Sequence, residues 1–269
     1  MAGKGDAVRW NEVSRDPNDP RLLAARQESL KRVRAPAVYD RISYLCDLAH
    51  GKKVLDVGVV NHCLDAGASH QWLHGRLCEV AKICIGVDVL DEEVALLCQR
   101  GYDVRHVDLT QVPLREKFDV IIMGELIEHV AEPGGLLRNV VSMLETDGLL
   151  VLTTPNPWFV NVVVKNLVGS TPFTDSADHV AWYDAGTLYE IGQRCGLELS
   201  RYTGVQANFP RSVWGRAAFK MAPALIALGF NQLLFAKTIV YEFRRVAGPA
   251  LSVPPVSDVV TVSELGAMD

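Results

Sequence analysis

The sequence predicts a doubly wound α/β protein on a mostly parallel, seven-stranded sheet, and three observations carry that reading. Short apolar strands alternate with helical segments through the middle of the chain, as βαβ units require. Polar residues stand at the carboxyl ends of four successive strands, where such sheets bind ligands. An apolar, helically spaced stretch interrupts the alternation just before the last strand.

Residues 1–20 are polar, charged and proline-containing and read as a flexible tail. Between 21 and 50, Leu22, Leu23, Leu30 and Val33, then Val38, Ile42, Leu45 and Leu48, recur at helical spacing with a break at Pro36, which predicts two helices. Over 51–204, a ligand-binding domain follows. Its strands are KVLDVG (53–58), ICIGVD (83–88), YDVRHVD (102–108), FDVIIMG (118–124), GLLVLTT (148–154) and LELSRYTG (197–204), and its helices span 71–82, 91–100, 133–144 and 185–195. Residues 205–237 form the apolar helical insertion, 238–246 the final strand, and the proline-containing 247–269 a disordered tail.

Composition narrows the function classes. With 27 basic and 32 acidic residues among 269, the net charge is 27 − 32 = −5, and no Lys/Arg block supplies the electrostatic footprint that nucleic-acid binding needs. The N-terminus has no apolar stretch of the secretory kind, and the run 221–236 is short for a membrane span and broken by Pro223 and Gly229, so a cytoplasmic protein is expected. Cys46, Cys63, Cys78, Cys84, Cys98 and Cys195 show no paired spacing and read mostly as reduced, buried apolar residues. A mean hydropathy of +0.12 is slightly high, and the excess concentrates in 206–237.

The strand ends carry the chemistry. Strand one ends in Asp56-Val57-Gly58, where a glycine permits a sharp turn close to a ligand; strand two ends in Asp88, placed as an acceptor for ribose hydroxyls; strand three ends in Asp108-Leu109; strand four runs into Gly124-Glu125. Each aspartate alone is better explained as a turn or cap residue, but four such ends in succession favour a binding site.

The order and spacing of VLDVGVVNH (54–62), IGVDVL (85–90), VDLTQ (107–111), FDVIIMGELIEHV (118–130) and ETDGLLVLTTPNPW (145–158) resemble the class I S-adenosylmethionine-dependent methyltransferases, with a Rossmann-like fold, over roughly 45–204. The resemblance implies that the Gly58 turn meets the methionine part of the cofactor and that Asp56 supports that turn and the ammonium group. It also implies that Asp88, with Val89, binds the ribose, that Asp108 and Leu109 bind the adenine, and that Glu125 touches the cofactor. The first loop departs from the family, holding Val59, Val60, Asn61 and His62 where further glycines are usual, so that His62 would contact the cofactor in an altered way. The same departure argues against a nicotinamide dehydrogenase, whose pyrophosphate needs a glycine-rich turn at a helix N-terminus.

In GELIEHV (124–130), a helix starting near Glu125 would put Glu125, Glu128 and His129 on one face, a set suited to Mg²⁺ or Mn²⁺. The pattern is similar to that of ubiquinone-biosynthesis O-methyltransferases and small-RNA 2′-O-methyltransferases, where it is linked to a metal. His129 is then the first candidate for the base that deprotonates a hydroxyl, and His179 the second, with packing beneath Trp182 and Tyr183 as the plain alternative for His179. Asn156, in Pro-Asn-Pro, would either orient an acceptor or simply shape a rigid turn.

The expected function is methyl transfer to a hydroxyl of a small-molecule, sugar or lipid-linked acceptor. RNA 2′-O-methylation and a catalytically silent cofactor-binding partner subunit are the alternatives; the acidic balance counts against the first, and the altered first loop motivates the second. The insertion at 206–237 has three readings: a cap over the acceptor pocket, which ranks first, a homodimer face, or peripheral contact with a membrane surface.

Overall fold

The computed structural model of the chain describes Ser14 and residues 16–60, 72–206 and 213–246, the stretch 213–219 by its backbone alone. The helix α1 (Pro20–Val33) starts at an Asp19 side chain that accepts the Arg21 N–H, with Pro20 in the first turn. Asp40 caps α2 (Arg41–Ala49) in the same way through the Ile42 N–H. There follow β1 (Lys53–Val57), α3 (Leu73–Val80), β2 (Ile83–Asp88), α4 (Asp91–Gln99), β3 (Val104–His106), β4 (Phe118–Gly124), α5 (Pro133–Met143), β5 (Leu144–Pro155), α6 (Val160–Val168), α7 (Ala185–Arg194), β6 (Leu197–Gln206), α8 (Val213–Ala227) and β7 (Ala236–Arg245).

These strands form one seven-stranded sheet in the order β3-β2-β1-β4-β5-β7-β6. The first five are parallel, and β7 runs antiparallel between β5 and β6. The doubly wound, mostly parallel sheet read from the sequence is therefore present. Its strands are apolar on both faces because both are covered: Leu55, Ile121, Met123 and Leu150 point to a core shared with α5 and α7, whereas Val54, Val120, Ile122 and Val151 point to one shared with α2 and α3. The outer edge of β6 is covered by the link between α1 and α2, where the Ala35 N–H donates to the Tyr202 carbonyl at 2.8 Å and the Val38 N–H to that of Gly204 at 3.0 Å.

Three local differences from the sequence reading have physical causes. Strand β3 is three residues; Tyr102 lies outside it and packs edge-on against Trp72, 4.9 Å between ring centroids, and the chain leaves the sheet again after His106. The apolar run 160–168, to which the sequence reading assigned no helix, forms α6. Within the insertion, α8 stops at Ala227, two residues before Gly229 at φ +96°, and a short turn over Gln232–Phe235 leads into β7. The expected tails at 1–20 and 247–269 lie largely or wholly outside the described residues, as does Cys63. All five described cysteines are free, but only Cys46 and Cys195 are buried; Cys78 and Cys84 are half-buried and Cys98 is exposed, so fewer are buried than the sequence reading expects. No described helix is long and apolar enough to cross a membrane.

The role of Asn156 resolves in favour of structure. It is buried at the end of β5, its amide donates to the Leu233 and Ala236 carbonyls at 2.7 and 2.8 Å, and its oxygen accepts the Trp158 N–H at 3.0 Å. It clamps the entry of β7 to the exit of β5. Replacing Asn156 by Ala strands two buried carbonyls, and urea unfolding should show a loss of about 3 kcal/mol; an unchanged midpoint would contradict the clamp.

Candidate active site

In the parallel register, Val57 lies opposite both Val87 and Met123, and Gly124 opposite Thr153, so the chain leaves β1, β2, β4 and β5 at one level. The divergence of these exits opens a cavity of about 770 Å³, within the range that holds a small cofactor and an acceptor group. Asp56, Gly58, Asp88, Val89, Asp108 and Leu109, all singled out in the sequence, line it together. His62 lies outside the described residues.

Gly58 has φ +77°, its N–H donates to the Val87 carbonyl at 2.9 Å, and a Cβ there would stand 2.9 Å from Leu126 Cδ1. Only glycine takes this turn without strain. Asp88 holds the same turn from the other side: one carboxylate oxygen accepts the Val60 N–H at 2.9 Å, and the other accepts those of Val89 and Leu90 at 2.8 and 3.2 Å ahead of α4. Asp108 accepts the Thr110 N–H and hydroxyl at 2.8 and 2.7 Å, so it shapes a turn at the cavity wall as well as facing it.

The expected helix from Glu125 does not form. Glu125 sits at φ +56°, outside the right-handed helical region, because its N–H is drawn back to the Thr153 carbonyl at 2.9 Å. Its carboxylate accepts from the Thr238 hydroxyl at 3.0 Å and lies 3.5 Å from the Arg41 guanidinium. Glu125 therefore shares no helical face with Glu128 and His129, which follow on a short 3₁₀ turn over Ile127–His129. The set that the fold assembles instead is Glu128, His129 and His179, with one donor atom from each within 4.8 Å of the others.

The electrostatics of that set are unusual. Glu128 is 1% exposed, neither carboxylate oxygen has a hydrogen-bond partner, and burial pushes its pKa up to about 7. Its own backbone carbonyl accepts the N–H groups of Val180 and Ala181 at 2.9 and 3.3 Å, which brings the 179 loop over the site. His129 Nδ1 lies 2.9 Å from Asp178, and the His129 and His179 rings meet edge to face at 4.7 Å between centroids. Burial, then the neighbouring His129, lowers the pKa of His179, whose Nδ1 is buried without a partner. Both effects favour the neutral imidazole at His179.

Asp56 has a partner that the sequence reading did not assign. Its carboxylate lies 3.1 Å from Nδ1 of His74, a side chain with no exposed surface. Burial, the largest single effect, works against a charged His74, but Asp56 and Cys78 together outweigh it and lift its pKa to about 9. Arg41, Asp178 and Lys237 also line the cavity unanticipated, because each arrives from a distant element and carries no local motif.

A family model described as a methyltransferase domain matches residues 26–201 of the chain. The ubiquinone biosynthesis O-methyltransferase of Aeromonas salmonicida is 23% identical over 162 residues, 58% of this chain and 66% of that protein. Its counterpart from Bradyrhizobium diazoefficiens is 29% identical over 127 residues, 43% of this chain and 50% of that protein. The chain thus spans about half to two thirds of the length of these curated relatives. Among solved structures, magnesium protoporphyrin IX methyltransferase from Synechocystis, with bound S-adenosylhomocysteine, shares the fold at a TM-score of 0.50 and 15% identity, covering 83% of this chain and 84% of that one.

The raised pKa of Glu128 gives a signed pH dependence. Below about pH 4.5 the carboxyl is protonated folded or unfolded and contributes nothing; as pH rises towards 7 the unfolded chain ionises first, and the metal-free protein loses stability. In EDTA, Glu128→Gln should raise the unfolding free energy by about 2–3 kcal/mol at pH 8 and leave it unchanged at pH 4. Equal effects at both pH values would refute the buried carboxylate as the cause.

Proposed function

The chain belongs to the class I S-adenosylmethionine-dependent methyltransferases, and from that premise we propose that it methylates a hydroxyl of a small or lipid-linked molecule without phosphate groups. The observation that carries this reading is the pair of imidazoles at the cavity wall, one oriented by Asp178 and the other neutral, beside a carboxylate with no partner. The names of the curated relatives, O-methyltransferases, agree with it.

The cavity suits the cofactor of this family. With Asp56 set against His74, Glu125 against Arg41 and Asp175 against Lys237, the carboxylates of Asp88, Asp108 and Asp178 still give the wall an excess of negative charge, complementary to a sulfonium and an ammonium group. The Gly58 turn brings backbone close to the ligand, and Val89 and Leu109 supply apolar surface for a purine. Asp88 has a further lone pair on the oxygen that holds Val60, enough for one ribose hydroxyl.

The cofactor supplies a methyl group already activated on sulfur, so the protein has to align the acceptor oxygen and take up its proton. Asp178 engages His129 through Nδ1, which fixes the ring and leaves Nε2 on the side away from that carboxylate. His129 accepts the hydroxyl proton as the methyl passes from sulfur to oxygen, and neutral His179 is the second acceptor within reach of the same site. Glu128, His129 and His179 would also hold a divalent cation, and two imidazoles with one carboxylate suit Mn²⁺ better than Mg²⁺. Such a cation would supply polarisation of the acceptor hydroxyl.

The cations of the cavity wall are balanced locally: Arg41 lies 3.5 Å from Glu125 and Lys237 4.0 Å from Asp175. That balance speaks against a phosphorylated acceptor or RNA.

Calorimetry with S-adenosylmethionine should show binding that Asp88→Ala weakens; no heat at millimolar cofactor sinks the reading. His129→Ala should lower kcat about 10²–10⁴-fold with cofactor affinity kept, and full activity would remove His129 from proton transfer. Binding without turnover across a library of hydroxylated acceptors would favour the silent partner subunit. If a cation takes part, EDTA stops turnover and Mn²⁺ restores it.

A further inference from the structure

We propose that His74, Cys78 and Cys84 form a thiolate-containing site for a soft divalent ion of the zinc type, with Asp56 as the carboxylate that orients the imidazole. It uses none of Glu128, His129 and His179 and stands whether or not the methyl-transfer reading does.

His74 and Cys78 are one helical turn apart on α3, and Cys84 comes from the start of β2, against which α3 packs. One donor atom from each of the three lies within 4.8 Å of the others. Asp56 engages Nδ1 of His74 at 3.1 Å, Cys78 Sγ lies 3.5 Å from Nε2 and Cys84 Sγ 3.9 Å from Nδ1, so an ion bound through Nε2 keeps the Asp56 contact. A tetrahedral zinc with bonds of about 2.3 Å to sulfur and about 2.0 Å to nitrogen holds the two ligand atoms about 3.5 Å apart. The carboxylate behind the imidazole is the usual orienting arrangement for a ligating histidine.

The sheet is shaped around this ring. Gly86 stands in the middle of β2, where a glycine weakens a strand, and a Cβ there would meet His74 Cε1 at 2.8 Å, with Val59 Cγ1 at 2.9 Å and Val104 Cγ2 at 3.1 Å. The strand has given up a side chain to admit an imidazole that has no exposed surface. Both cysteines are free and half-buried, which keeps a path from solvent to the sulfurs. Three protein ligands leave a fourth position for solvent or a small molecule.

The test is Co²⁺ titration of the reduced full-length protein, because cobalt bound to thiolate gives a charge-transfer absorption that imidazole and carboxylate sites lack. The wild-type protein and His129→Ala should both develop the band with one equivalent of Co²⁺, and Zn²⁺ should bleach it. Cys78→Ser/Cys84→Ser should abolish the band, Cys46→Ser should retain it, and Asp56→Asn should lower Zn²⁺ affinity about 10–100-fold in chelator competition. Far-UV circular dichroism and the metal-free Tm of the double variant show that it is folded. Absence of the band in the wild-type protein, or its survival in the folded double variant, overturns the site.

Discussion

The polar groups of the cavity depend on four parallel strands whose chains leave the sheet at one level. A parallel strand buried on both faces can carry only apolar side chains along its length, so charged groups are pushed to its carboxyl end, where the chain turns away. In this sheet Gly58, Asp88, Gly124 and Thr153 mark that level. The first turn is held by Asp88, the fourth is folded back onto Thr153, and the cavity is the space between them.

That cavity is acidic and largely desolvated on one wall. A buried carboxylate without a donor, as at Glu128, costs stability in the metal-free protein, and proteins retain such groups where a ligand or cation compensates. The opposite wall solves the same problem differently: Asp56 is buried but paired with His74, so its charge is neutralised within the fold. Two buried carboxylates a few residues from the same cofactor site are thus held in contrasting states, one open to a ligand and one closed by an imidazole.

The fold was legible because its signals are local. Val54, Val120 and Ile122 on one face and Leu55, Ile121 and Met123 on the other are written in consecutive residues, and caps such as Asp19, Asp40 and Asp184 announce helices within a few positions. The strand-end residues Asp56, Gly58, Asp88 and Asp108 were found by the same logic. What escaped depends on distant chain. The sequence around Glu125 reads as a helix start, yet a carbonyl on β5 sets its backbone, and that carbonyl is invisible to local periodicity. His179 joins Glu128 only because the Glu128 carbonyl binds the loop at 180–181, and Asp178 reaches His129 on that same loop. The spacing of His74 and Cys78 was there to be read, but Cys84 belongs to a different element, and the glycine that makes room for the ring is two residues further on.

The position of β7 bears on how the chain is made. It is the last strand in sequence among the described residues but sits inside the sheet, between β5 and β6. During synthesis β6 emerges before its only strand neighbour among the described residues exists, with the link at 34–38 as its one early backbone partner. Until residues 236–245 leave the ribosome, two long strands present open edges to any other nascent chain. Completion of the sheet is therefore a late, insertional event joining segments far apart in sequence, a topology that favours slow folding and reliance on chaperones.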